Sequence, residues 1–385
     1  MKFTVSKSTF MSVLSPAMGT VSRDKNTINV IEGILIETLN SGEIRISSFD
    51  MKKGVRATFV PQEIERTGKY IVNAQRFYQI VRLLPDTDIT VDISDKLNCT
   101  VSAGKASFSM FATKGEDFPT LPELTTDNGF SIPTSTLKKV IYKVAHSIAV
   151  QDNRVCLTGA YFKIKENSFE VVSTDSYTFS KCNVSCDIES ITSDGVDYSF
   201  IIPGDALAEL SKILPDEEDF KAEFFISRKH AIIKCDNIVF FTRTIDSEYI
   251  DYKKVIANEN DIIVTVDRES LLSGLERANL IAEEKIQGSG KSYVKLIING
   301  DYISLTSASA NGNVSDEMDC KHEGDDIEIA FNCRYFINTV RATDGEKLRL
   351  TLKEATRPMT VESLDSEENI ESFYLIVPMR MRESQ

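Results

Sequence analysis

The first residues of the chain alternate, with apolar Phe3 and Val5 set between Lys2, Thr4 and Ser6. The period then changes: Phe10, Val13 and Leu14 fall on one helical face. This predicts a strand running into a helix, with Ser6 as the capping residue at the change. The same grammar returns twice. Phe130 and Ile132 alternate before Leu137, Val140 and Ile141, with Pro133-Thr134 at the change. Val264 and Val266 alternate before Leu271, Gly274 and Leu275, with Asp267 at the change. The three copies start 127 and then 134 residues apart.

A second block recurs in step with the first. Tyr70 to Asp86, Phe200 to Asp216 and Ile329 to Asp344 each pass from an apolar strand into a helix, at offsets of 130 and 129. Two of them stop at a breaker, Pro85-Asp86 and Pro215-Asp216. Strand-like alternating runs follow each second helix, from Asp88 to Ala112, Phe220 to Thr244 and Lys347 to Val377. Each unit therefore reads as strands, a helix, more strands, a second helix and a hairpin-rich close. A period near 130 is far longer than that of solenoid repeats, so each copy is large enough to hold its own core. The expectation is an α+β chain of three repeated domains, each with two helices packed on antiparallel sheets. The domains would cover 1–126, 127–257 and 258–385, with boundaries after Asp117-Phe118-Pro119 and after Tyr249-Ile250-Asp251.

Composition changes the picture through charge. Asp and Glu number 58 against 44 Lys and Arg, a formal charge of −14. Bulk attraction to DNA or to an anionic membrane is not expected of such a chain. The charge is nevertheless segregated. The six helical spans carry Lys7, Arg76, Arg82, Lys138, Lys139, Lys143, Lys212, Arg268, Arg277, Arg334 and Arg341 against five acids, Asp205, Glu209, Asp267, Glu269 and Glu276. The spans thus hold +6 and the rest of the chain −20. Basic helices lining one surface, with acidic strands outside, could close around a polyanion.

Other chemistry is sparse. There are three histidines, His146, His230 and His322, with no metal-pair spacing and no Ser/His/Asp set to propose. The seven cysteines show no C-x2-C pair and fit reduced thiols; Cys182 and Cys186, four apart, lack a second pair for zinc. Gly288 to Ser292 has the end of a phosphate loop, but Lys285 stands where the first glycine belongs. The reading is non-catalytic, with no metal and no cofactor. The opening residues lack the apolar core of a signal peptide and no apolar run reaches membrane length, so the expected location is the cytoplasm.

Several short motifs, in order and across the whole chain, carry a resemblance. They are Met1-Lys2-Phe3-Thr4-Val5, Asp117-Phe118-Pro119, Gln151-Asp152-Asn153-Arg154, Thr174-Asp175, Tyr249-Ile250-Asp251-Tyr252 and Tyr374 to Met381. With the triple repeat, the chain resembles the bacterial sliding clamp family, the beta subunit of DNA polymerase III. The resemblance implies a head-to-tail homodimer, a six-domain ring with helices inside and sheets outside. It implies sequence-independent, topological binding of double-stranded DNA, and tethering of the polymerase alpha subunit, the clamp loader and repair proteins through linear motifs.

The family's partner-peptide groove, carried over, would be walled by Leu157, Thr174, Phe179, Val255, Leu375, Ile376, Val377, Pro378, Met379 and Arg380. Ser176-Tyr177-Thr178 and Ile250 depart from the family pattern there, which alters one end of the groove. Lys25, Gln151 and Arg154 join the basic helical residues as expected DNA-facing positions. The ring interface is expected where the strand from Lys105 to Phe111 meets the strand from Asn311 to Asp319 of a second copy. Phe108, Met110, Leu280 and Ile281 would form its apolar centre, with Lys105 opposite Asp316, Glu317 and Asp319. The alternative is a peptide-binding scaffold that never closes into a ring; mass in solution separates the two.

Overall fold

A computed structural model describes residues 1–22, 29–121, 129–191, 195–217, 219–227, 229–256, 260–282, 293–309, 312–366 and 369–380. Both expected domain boundaries, Lys25 and the Gly288–Ser292 turn lie outside these residues. The described chain contains helices α1 (Lys7–Met18), α2 (Ala74–Leu83), α3 (Thr134–Ala145), α4 (Gly204–Ile213), the single turn α5 (Lys253–Ile256), α6 (Arg268–Ala282) and α7 (Cys333–Ala342). None is long and apolar enough to cross a membrane.

The six long helices are the ones the change of period predicts, and each directly follows a strand or is one residue removed from it. Side-chain caps hold most of the starts. Ser6 accepts from the Thr9 amide at 3.2 Å, Asn73 from Arg76 at 3.0 Å, Asp267 from Ser270 at 2.8 Å and Asn332 from Tyr335 at 3.2 Å. Thr134 differs: it is the first helical residue, and its hydroxyl donates to the Phe220 carbonyl at 3.2 Å.

The chain forms two compact units, each built on one antiparallel sheet. The first takes residues 1–138, 189–195 and 205–244 and has fourteen strands among the described residues. An aromatic knot holds its first two helices to the sheet: the Phe10 ring lies 5.8 Å from Phe3, 5.6 Å from Phe59 and 5.7 Å from Phe77, all fully or almost fully buried. A second apolar cluster gathers Leu35, Phe49, Ile71, Phe118, Phe225, Ile232 and Phe241. The second unit takes 139–188, 196–204 and 245–385 and has twelve strands among the described residues. Its main core joins α6 and α7 through Leu271, Leu275, Phe336 and Val340 to strand residues such as Val264, Leu305 and Leu350.

The middle repeat contributes to both units. Its strand Ile238–Arg243 pairs with Lys53–Phe59 of the first repeat, Ile238 opposite Ala57. Its strand Thr178–Ser185 pairs with Ile370–Ile376 of the third, Phe179 opposite Leu375. Backbone hydrogen bonds therefore run through the repeat junctions, and compactness does not follow the sequence period.

The second helix of every repeat receives a cation at its carbonyl end. Lys7 Nζ donates to the carbonyls of Arg82 (2.9 Å) and Leu84 (2.5 Å) at the end of α2. Lys138 Nζ donates to Leu214 at 3.3 Å beyond α4, and also binds Asp216 at 2.5 Å. Arg268 donates to Val340 at 3.2 Å and Arg341 at 3.4 Å at the end of α7. Positive charge there satisfies orphan carbonyls and meets the negative end of the helix dipole.

Candidate functional site

Two adjoining apolar clusters of the second unit hold Leu157, Phe179, Leu375 and Val377 of the expected groove wall. One buries Ala149, Cys156, Leu157 and Ile201; the other buries Val172, Phe179, Tyr252 and Leu375. Tyr161, Tyr249 and Ile250 are partly buried against both and make the seam between them. Tyr161 stacks on Tyr249 with centroids 5.1 Å apart, and Phe179 lies 6.2 Å from both Tyr252 and Phe373. Burial and a hydrogen bond to Glu170 push the Tyr252 phenol well above its usual range, so it stays neutral. Val255 stands 39% exposed on α5, beside this apolar ground.

The structure sorts the expected groove residues. Leu157, Phe179, Leu375 and Val377 belong to the two clusters. Ile376 does not: it points into the α6–α7 core, because neighbours on a strand face opposite ways and Leu375 takes the groove side. Thr174 is buried as a turn-builder, donating to the Thr178 carbonyl at 2.6 Å and accepting from the Ser176 amide at 3.1 Å. The last described residues are anchored by their backbone, Val377 to Tyr177 at 2.9 Å and Met379 to Ala330 at 2.7 Å. Pro378 and Met379 stay half-buried and Arg380 exposed. At this end Tyr177 stacks on Tyr335, centroids 5.9 Å apart. Sequence reasoning did not single out Tyr161, Tyr252 and Phe373, which pack in these clusters. The signal was the aromatic spacing of Tyr249 and Tyr252, read only as a family mark.

The basic helical residues are sorted too. Lys7, Lys138 and Arg268 hold helix ends, as described above. Lys143 is buried, with its ammonium on Asp344 and 3.4 Å from the Ala342 carbonyl, so it cannot face DNA; its long stem carries the charge into the structure. Arg277 is bound to Asp316, Arg341 to Glu276 at 2.7 Å and Lys212 to Glu209 at 3.0 Å. Arg154 forks onto Asp152 at 3.1 and 3.0 Å and reaches Ser176 at 2.6 Å, tying its loop to the groove turn. Arg76, Arg82, Lys139 and Arg334 are exposed on the helices, and Gln151 is exposed on its loop.

Two strand edges stand out. Strand Ala106–Lys114 pairs with Lys69–Asn73 only through Ala112 to Lys114, and with Asn98–Ala103 through Ala106 to Phe111. Among the described residues nothing pairs with the other edge of Ala106 to Phe111. Strand Asn313–Glu323 has the same design: Asn313 to Asp319 pair with Tyr302–Ala308 on one side only, while Cys320 to Glu323 pair with Ile262–Asp267. Phe108 is 43% and Leu280 74% exposed near these edges, and Ile281 is half-buried. Lys105 sits in the turn before the first edge, and Glu317 is exposed on the second. Met110 is a correction: it is buried, since it shares a face with core residue Ala112, and Phe111 at 85% exposure is the open aromatic.

Comparison with known proteins decides the family. Residues 1–122, 131–251 and 253–380 match, in order, the N-terminal, central and C-terminal domains of the DNA polymerase III beta subunit. The chain belongs to that family. A beta sliding clamp from Bacillus subtilis is 26% identical over 394 residues, covering 99% of this chain and 100% of the relative. The beta subunit structure from Streptococcus pyogenes is 27% identical with a TM-score of 0.88, covering 99% of this chain and 100% of that one. A sliding clamp from Bartonella birtlesii, solved bound to griselimycin, is 25% identical with the same TM-score and the same coverage. The chain therefore has the three-domain clamp fold, and the expected family stands. Among its described residues no group of three His, Cys, Asp or Glu side chains could hold a metal ion.

Proposed function

We propose that this chain acts as a DNA sliding clamp, a non-catalytic processivity factor working in the cytoplasm. The carrying observation is that three beta-subunit domain matches follow one another along a single chain, in step with its internal repeat. The family implies a head-to-tail dimeric ring of domains 1–126, 127–257 and 258–385 around duplex DNA. Two half-paired edges, with exposed Phe108 and Leu280, support Ala106–Phe111 of one copy meeting Asn313–Asp319 of the next. Pairing them removes an open template for aggregation.

Inside the ring, exposed Arg76, Arg82, Lys139 and Arg334 would meet phosphates, not base edges, and so read no sequence. Retention would come from topology. The groove of Leu157, Phe179, Val255, Leu375, Val377, Pro378 and Met379 would take short motifs with Leu or Phe anchors from the polymerase, the loader and repair proteins. Each buried anchor contributes roughly 1.5–3 kcal/mol before the cost of ordering the peptide. Two anchors suit binding on the order of micromolar, a range that permits exchange. The test is retention on closed-circular duplex DNA after loading. The clamp should survive a high-salt wash that phosphate contacts alone would not, and linearising the DNA should release it. Equal salt-resistant retention on linear DNA with open ends would refute a topological link.

A further inference from the structure

A cavity of about 540 Å³ lies between the end of α1 and α2, walled on one side by Met18 and Val21. The α2 wall consists of Gln75, Tyr78, Gln79 and Arg82, spaced i, i+3, i+4 and i+7 on one face. Ala74, Phe77 and Val81 are the buried face of the same helix, which fixes the first set toward the cavity. Both ends of α2 are held, by the Asn73 cap and by Lys7 on its last carbonyls. On the other wall a hydrogen bond from the Ser22 amide to the Ile31 carbonyl, at 3.2 Å, brings Glu32 close to Val21.

The other repeats act as internal controls. The positions matching Arg82 are Lys212 and Arg341, each neutralised by a carboxylate, Glu209 at 3.0 Å and Glu276 at 2.7 Å. The positions matching Tyr78 are Ala208 and the buried Ile337. Only the first repeat combines an aromatic ring, two amides and an arginine that, among the described residues, has no carboxylate in ion-pair range.

This set calls for a ligand with a flat ring, an edge of donors and acceptors, and an anion. In a duplex the ring faces are stacked away. We infer that the cleft holds an unpaired nucleotide of single-stranded DNA, its base against Tyr78 and its phosphate on Arg82. The Glu32 carboxylate repels phosphate from its own end and accepts from base N–H groups, which sets the direction of the nucleotide. Stacking on one aromatic ring beside a cation is the ordinary mode of sequence-tolerant single-strand binding. The inference rests on the clamp reading, since it needs DNA to be at hand.

The test is fluorescence anisotropy of a short labelled oligo(dT) at low salt. Tyr78→Ala should weaken binding roughly tenfold, and Tyr78→Phe should keep it. Gln79→Glu copies the pair of the second repeat, placing a carboxylate three residues before Arg82, and should weaken binding at a surface position that leaves the fold intact. Arg82→Gln should lower the slope of log affinity against log salt by about 0.7. No binding by the wild type, or unchanged binding in both Tyr78→Ala and Gln79→Glu, overturns the inference. Salt-resistant retention on circular duplex, measured in parallel, shows whether the clamp reading stands or falls separately.

Discussion

Replacing Lys143 by Met should loosen the protein without changing its attraction for DNA. The Lys143 side chain is 4% exposed, while that of its partner Asp344 is 37% exposed. Methionine fills the channel of the aliphatic stem, so the main loss is a charged hydrogen bond and the weaker one to Ala342 at 3.4 Å. A hydrogen bond to a charged group contributes about 1.5–3 kcal/mol. The loss falls short of the roughly 3–5 kcal/mol for breaking a fully buried pair, because water still reaches Asp344. An expected loss of about 2 kcal/mol lowers the Tm by roughly 4–8 °C for a cooperative unit of this size. The assay pairs thermal unfolding with the salt dependence of duplex binding by anisotropy. Lys143→Met should keep the wild-type salt slope. Arg76→Gln, at an exposed position on α2, should keep the Tm and lower the slope by about 0.9. A Lys143→Met protein with unchanged Tm and a flattened slope would refute the assignment of this lysine to the interior.

Three further outcomes follow from the same structure. Phe108→Asp puts a charge on the open edge and should give monomers by sedimentation; a dimer would move the interface elsewhere. Met379→Asp should abolish calorimetric binding of a Leu/Phe-anchored clamp peptide while the dimer persists, and an unchanged affinity would displace the partner site. Burial lowers the His146 imidazole to about 4, with Ser180 Oγ at 3.3 Å from its Nε2. The unfolded chain then binds the extra proton between about pH 6.5 and 4, so stability is full above that window and falls as pH drops through it. His146→Gln should lose up to about 3 kcal/mol less than wild type in urea melts between pH 7 and 4, and identical pH profiles would contradict the burial.

Much of this was legible in the chain, for a local reason. A switch from period two to period 3.6 marks each strand–helix unit, and Ser6 and Asp267 cap their helices as read. The cations were not legible. Lys7, Lys138 and Arg268 act on carbonyls more than 70 residues away, and a charge count along a helix carries no information about a distant helix end. The groove was half legible. The strict alternation from Tyr374 to Ile376 separates Leu375 from its neighbours, yet which of the two faces is covered depends on α6, α7 and the Tyr161–Tyr249 stack. The repeat itself predicts three domains. It cannot reveal that the middle copy's strands are hydrogen-bonded into the sheets of the first and third.

That sharing bears on what happens when the chain is cut. A fragment holding the middle repeat alone would lose the neighbours of Ile238–Arg243 and Thr178–Ser185 together. Each would keep its partner within the repeat, His230–Cys235 and Ser168–Thr174, but present one bare edge of amides and carbonyls beside Phe240, Phe241 and Phe179. Expressed by itself, such a piece should collect in inclusion bodies, whereas the flanking repeats would lose only one neighbour apiece. A protease that cuts the chain at a repeat junction need not release a domain either, because the severed ends remain stitched by strands from the other side.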